Sequence, residues 1–103
     1  MNIIKVDTVT SDYTEIPNAI LTNPELTSAA KVVLCFLLSL EDEDFHITIS
    51  NISKEIHMSE SKVKRAVELL QQTGYLQIEK VRNGTYFGGC FWRISDTAGT
   101  YKG

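Results

Sequence analysis

The apolar residues of the sequence change their spacing at Gly74. Before this glycine they recur at i, i+3, i+4 and i+7, which predicts an amphipathic helix over residues 60–73 that Gly74 ends. After it, residues 75–81 alternate between polar and apolar, which predicts a strand with Leu76 and Ile78 on one face. The apolar set of the helix is Val63, Ala66, Val67 and Leu70. A helix joined directly to a strand points to an α+β fold.

The dipeptide Asn83-Gly84 lies between this strand and a second strand-like run, and it predicts a β-hairpin. Both residues tolerate the positive φ of a tight turn whose twist matches that of the strands. The return strand is predicted over residues 86–94, with a bulge or a close backbone approach at Gly88-Gly89. Its apolar face is predicted to be Cys90, Trp92 and Ile94, and Phe91 is also expected in the core.

An apolar segment earlier in the chain predicts the helix at the centre of the fold. Residues 28–40 are apolar at 10 of 13 positions, and Thr27 before them can cap a helix. A helix that is apolar on all sides is expected to be buried on all sides. Pro17 and Asn18 predict a shorter helix upstream, which Asn23-Pro24 ends.

A two-turn helix is predicted between the central helix and the helix over residues 60–73. Ser50 is expected to cap it, with Ile49, Ile52 and Ile56 facing inward and Lys54 outward. Residues 45–49 favour a short strand, and the acidic run at 41–44 predicts a solvated loop. Residues 57–59 interrupt the helical pattern, so two helices are predicted to meet at a three-residue break.

Composition excludes several classes of protein. The 103 residues, 43% hydrophobic and 22% charged, are typical of one compact globular domain. The longest apolar run, residues 32–40, is roughly half of a membrane span and no secretion signal precedes it, so we expect a cytoplasmic protein. Cys35 and Cys90 are expected to be buried small hydrophobes, and His46 and His57 lack metal-ligand spacing. No catalytic motif is present, so we expect no enzymatic activity, no cofactor and no metal.

The order of these elements matches the winged helix-turn-helix plan, a three-helix core followed by a C-terminal hairpin called the wing. We expect an N-terminal arm over residues 1–12, the winged domain over 13–96 and a polar tail over 97–103. In this plan the last helix enters the major groove of DNA, and the wing lies along the backbone or in the minor groove.

The side chains left outside the predicted core form a candidate DNA surface on the helix over residues 60–73. Arg65 can pair with guanine, Ser61 can bond to a base edge or a phosphate, and the lysines can neutralise phosphates. The alternative is an ordinary solvated face with pairs such as Glu60 and Lys64. Opposite Val63 the helix presents Ser61, Arg65, Glu68 and Gln72. The candidate residues of the helices and their junction are Lys54, Ser59, Ser61, Lys62, Lys64 and Arg65.

The wing supplies a second, independent candidate surface. Its tip gathers cations, an amide and an aromatic, with no acid between residues 80 and 86. An arginine there can reach a narrow minor groove rich in A·T pairs, so Arg82 is expected to contribute more than Arg65. The alternative is a hairpin whose basic residues prevent edge pairing. The candidate residues of the wing are Lys80, Arg82, Asn83, Thr85 and Tyr86.

Several phrases across residues 13–96 resemble the winged-helix domain of replication proteins encoded by Gram-positive plasmids, phages and integrative elements. They are Tyr13 followed by Ile16-Pro17-Asn18, a helix with Ala29-Ala30-Lys31 that ends Leu37-Leu38-Ser39-Leu40, then Gly74-Tyr75-Leu76 and Gly84-Thr85-Tyr86-Phe87-Gly88. The resemblance implies binding to origin DNA, often as a dimer on repeated sites. Such proteins commonly continue into further domains. If these 103 residues, which stop shortly after the wing, are the whole gene product, we expect an accessory role rather than that of an initiator.

We therefore expect a sequence-specific binder of double-stranded DNA from a bacterial mobile element. It would act as a homodimer at an origin of replication or transfer, with replication or transfer proteins as further partners and no membrane. A small transcriptional repressor would show the same residues. A replisome interaction module that does not bind DNA is a third interpretation, with a candidate surface at Tyr86, Phe87, Phe91 and Trp92.

The net charge of −3 and the pI near 5.3 argue against binding to nucleic acid, but both values are averages over the whole chain. Residues 1–50 carry two basic and eight acidic side chains, whereas residues 51–103 carry eight basic and five acidic ones. The basic half holds every candidate residue. An acidic back can orient such a basic face toward DNA.

Overall fold

A computed structural model describes residues 3, 12–40, 47–83 and 86–101, and within them the side chains outside residues 80–90. In this part of the chain four helices precede a two-stranded antiparallel sheet, which confirms the predicted α+β class. The elements are α1 (Asn18–Leu21), α2 (Ser28–Ser39), α3 (Ile49–Ile56), α4 (Glu60–Gln72), β1 (Leu76–Asn83) and β2 (Tyr86–Ile94). Most of the arm predicted over 1–12, the acidic loop at 41–44 and the turn residues 84–85 lie outside the described residues.

Side-chain caps begin three of the helices. The hydroxyl of Thr27 accepts a hydrogen bond from the Ala30 amide at the start of α2. Ser59 accepts one from the Lys62 amide at the start of α4. Each cap satisfies one of the backbone N–H groups that a first helical turn leaves without a partner. The cap predicted at Thr27 is confirmed.

The cap predicted for α3 at Ser50 is wrong, because Thr48 accepts the hydrogen bond from the Asn51 amide at 3.0 Å. The earlier cap brings Ile49 into the helix, where it packs with Ile52 and Ile56 against the core. The strand predicted over residues 45–49 is correspondingly wrong at 47–49, while 45 and 46 lie outside the described part.

The helix α2 is buried on one face rather than on all sides. Ala30, Val33, Leu34 and Leu37 are buried against α3 and α4, but Val32 is 47% exposed. Cys35 is half-buried, although the sequence predicts full burial. Within the described residues, the other helices cover too little of α2 to enclose it.

The predicted break between α3 and α4 is confirmed as a tight turn. His57 ends α3 in the left-handed conformation at φ 54°, and the Met58 amide donates to the Ser53 carbonyl at 3.1 Å. This backbone bond satisfies a terminal carbonyl of α3 and lets α4 begin at Glu60. The two helices are therefore joined by a turn of three residues, 57–59, as in a helix-turn-helix unit.

Gly74 joins α4 to β1 at φ +84°, as the change of spacing predicts. The segment predicted as a polar tail packs against this junction: the Gly99 amide donates to the Thr73 carbonyl and the Tyr101 amide to the Gly74 carbonyl. A Cβ on Gly74 would lie 2.6 Å from the Gly99 Cα. The tail is thus hydrogen-bonded to the backbone of the connection between α4 and β1.

The two strands form the predicted hairpin, with the predicted bulge. Leu76 pairs with Ile94 and Lys80 with Cys90, but Arg82 pairs with Phe87, so β2 contributes one residue more than β1 between these pairs. The extra residue falls at Gly88-Gly89. One face of the sheet packs against the helical core through Leu76, Ile78, Trp92 and Ile94.

Phe91 does not lie in the core, contrary to expectation. It is 62% exposed on the outer face of the hairpin, where it pairs with Glu79. The cause is the two-residue period of a strand, which sends Trp92 inward and Phe91 outward. The placement predicted for Cys90 falls among side chains that are not described. Three packed helices and this hairpin make the fold a winged helix-turn-helix.

Candidate nucleic-acid interface

The outer face of α4 is a continuous polar surface. Val63, Ala66, Val67 and Leu70 are buried, so the 3.6-residue period turns the opposite side of the helix to solvent. This outer face consists of Ser61, Arg65, Glu68 and Gln72, all exposed, as the sequence predicts. Ser61 and Gln72 are eleven residue steps apart, or about 16 Å of helix, which matches roughly five base pairs.

Lys62 and Lys64 flank the outer face on opposite sides, and both are exposed. Lys62 faces α2: it lines a groove of ≈ 560 Å³ with Arg65, Gln72 and the first turn of α2. It also lines a second groove of ≈ 390 Å³ beside His57 and Ser59. An ammonium at this position can neutralise a phosphate that passes between α2 and α4.

The cations of α4 have no acidic partner within the part of the chain that is described. The ion pair among the described residues lies on the exposed face of the wing, where Arg93 Nε is 3.7 Å from Glu79 Oε1. Among the described residues, no carboxylate competes with an external anion for Lys62, Lys64 and Arg65. Lys54 is likewise exposed, on the outward side of α3.

The two predicted serines have different surroundings. Ser59 already acts as the cap of α4, and its Oγ lies 3.5 Å from the Oγ of Ser61. Ser61 is exposed at the first turn of the helix. A hydroxyl in this position can donate to a phosphate or a base edge.

The predicted wing residues belong to the far end of the hairpin. Lys80, Arg82 and Asn83 lie at the end of β1, and Tyr86 begins β2 opposite Asn83. Their side chains are not described, and Thr85 lies outside the described residues. The gathering of cations at the wing tip therefore stays a prediction.

Sequence reasoning missed the contribution of α2 to this surface. Thr27, Ser28 and Ala29 line the larger groove together with Glu68 and Gln72. The helical period indicates that Glu68 and Gln72 face outward, but the approach of α2 depends on packing between distant segments. No signal in the local sequence reports it.

The described residues also bear on the excluded classes. They include no group of three or more His, Cys, Asp or Glu side chains arranged to hold a metal ion. None of their helices is long and apolar enough to cross a membrane.

A known protein family matches the central part of the chain. The model of a family described as a helix-turn-helix domain matches residues 25–76, which run from just before α2 to the first residue of β1. Searches against curated proteins and against solved structures gave no significant match. The matched segment contains the whole outer face of α4 and excludes nearly all of the wing.

Proposed function

Because the chain belongs to the helix-turn-helix domain family, we propose that it binds double-stranded DNA in a sequence-specific manner. In this mode α4 lies in the major groove with its outer face toward the bases. Arg65 forms a bidentate pair with guanine O6 and N7, and Ser61 contacts a base edge or a phosphate. Lys54, Lys62 and Lys64 bind phosphates on either side of the groove.

The observation that carries this proposal is the outer face of α4 itself. Arg65 is exposed, has no acidic partner among the described residues, and projects from a helix that is fixed from behind by four buried side chains. A rigid helix positions a guanidinium more accurately than a loop does. When α4 lies along the major groove, this outer face is directed toward the base edges.

The wing makes the second contact in this proposal. Arg82 enters the minor groove or binds the backbone beside it, with Lys80, Asn83, Thr85 and Tyr86 around it. Since Glu60 and Glu68 reduce the positive charge of α4, Arg82→Ala is expected to weaken binding more than Arg65→Ala. A gel-shift titration of both variants tests this order, and a larger loss for Arg65→Ala would contradict it.

The biological role proposed is that of an accessory protein at an origin of replication or transfer of a bacterial mobile element. Its support is the resemblance of residues 13–96 to the replication proteins of such elements. A homodimer on repeated sites would mark the origin in the cytoplasm for replication or transfer proteins, without enzymatic activity or a cofactor.

A second candidate function is that of a protein-interaction module within a replisome. The observation in its favour is Phe91, a large apolar side chain that is 62% exposed on the outer face of the wing. Large aromatic residues are enriched at the centres of protein interfaces. This function requires no contact between α4 and DNA.

Selection of bound fragments from the DNA of the host element, followed by footprinting, tests these functions together. Protected repeats about one helical turn apart at an origin support the dimeric accessory role. Protection over a promoter instead identifies a transcriptional repressor. Absence of any enriched fragment at low salt contradicts DNA binding and favours the interaction module.

A further inference from the structure

Glu68 is the acid at the centre of the outer face of α4. It is exposed and lines the same groove as Arg65 and Gln72, without an ion pair to any described residue. A carboxylate in this position repels phosphates, so it lowers the affinity of the face for DNA in general. Its chemistry suits a different contact, to a hydrogen-bond donor on a base.

We propose that Glu68 determines specificity by accepting a hydrogen bond from the N4 amine of a cytosine in the major groove. This inference rests on the proposed function, because it requires α4 to lie in that groove. It goes beyond that function by assigning base recognition to an acidic residue and by naming the base.

The major-groove edges of the four bases leave cytosine as the matching partner. Guanine offers N7 and O6, both acceptors, and thymine offers O4 and a methyl group. Adenine has the N6 amine, but its N7 acceptor lies beside it and would repel a carboxylate. Cytosine alone presents an amine donor without a neighbouring acceptor.

The spacing along α4 gives the cytosine its place in the binding site. Glu68 follows Arg65 by three residues, a rise of about 4.5 Å, which corresponds to one or two base-pair steps. With guanine opposite Arg65, the site should contain two G·C pairs that are adjacent or separated by a single pair. Target sites of this chain are therefore expected to carry a short G·C-rich centre.

The test is selection of binding sites from random double-stranded DNA with the wild-type chain and with Glu68→Gln. A glutamine pairs with adenine N6 and N7, so the variant should exchange cytosine for adenine at one position and keep the guanine assigned to Arg65. At that position the wild type should prefer cytosine by roughly 5- to 150-fold. Glu60→Gln is the matched control, because it removes one negative charge from the first turn of the same helix.

The outcomes separate this inference from the function on which it rests. An exchanged position in Glu68→Gln, with an unchanged site for Glu60→Gln, supports it. If both variants select the wild-type site and only bind more tightly, Glu68 acts through charge alone and the inference is wrong while the proposed function stands. The same exchange in both variants also overturns it. A wild-type chain that selects no site or binds no DNA overturns both.

Discussion

Replacing Gly74 with alanine should loosen the connection between α4 and the wing. Gly74 has φ +84°, a conformation that an L-residue adopts only under strain, and its missing Cβ leaves room for the Gly99 backbone. A Cβ there would lie 2.6 Å from Gly99 Cα and 2.7 Å from Gly99 N, which is too close for non-bonded atoms, so the backbone at this contact must shift.

The expected loss of stability has two parts. The left-handed backbone costs an alanine about 1–2 kcal/mol. Displacement of the tail breaks the hydrogen bonds from Gly99 to Thr73 and from Tyr101 to Gly74, at about 1 kcal/mol each. The free energy of unfolding should therefore fall by about 3–4 kcal/mol, which lowers Tm by about 15 °C in a domain of this size.

Urea unfolding followed by circular dichroism measures this loss, and Gly99→Ala is the control. Gly99 also has a positive φ, +77°, but open space around its Cβ position, so its substitution should cost the strain alone, about 1–2 kcal/mol. Deletion of residues 96–103 should reduce the cost of Gly74→Ala to the same value. Equal losses for the two alanine variants in the full chain would refute the close contact between junction and tail.

Three further expectations follow from the fold. Thr48→Ala should destabilise the chain by about 1 kcal/mol in urea, because it removes the cap of α3, whereas a comparable loss for Ser50→Ala would restore the cap predicted from sequence. Val33→Ala should cost about 2 kcal/mol and Val32→Ala less than about 0.5 kcal/mol in thermal melts, since Val33 is buried and Val32 half-exposed; equal costs would contradict the one-sided burial of α2. Burial raises the pKa of the Cys35 thiol, so alkylation at pH 7.5, followed by mass spectrometry of its peptide, should be slower than that of free cysteine and should accelerate as the pH rises.

The elements of this fold that sequence predicts are those that depend on neighbouring residues. Thr27 caps α2, Gly74 ends α4 and Gly88-Gly89 introduces the bulge, because each effect acts over a few positions. The wrong cap at Ser50 is also local. A cap at Thr48 includes Ile49 in α3, whereas a cap at Ser50 would leave it outside the helix. Within α3, Ile49 lies on the same face as the other two isoleucines and packs against the core with them.

The features that sequence does not predict depend on contacts between distant segments. Val32 is apolar and yet exposed, because the described helices cover one face of α2 only. The packing of the tail brings Gly99 against Gly74, two residues that are distant in the sequence, so no local pattern predicts this contact. In the candidate site, the exposure of Arg65 and Glu68 follows from the helical period, whereas the groove with Thr27 requires the packing of α2 on α4.

The salt dependence of binding to double-stranded DNA tests most directly the claim that basic side chains of α3, α4 and the wing bind phosphates of DNA. If Lys54, Lys62, Lys64, Lys80 and Arg82 each contact a phosphate, log Kobs should fall against log salt with a slope of about −4.5. Affinity would then decrease about 500-fold between about 50 and 200 mM salt. Lys62→Gln should make the slope shallower by about 0.9. A flat line for the wild-type chain would contradict the account.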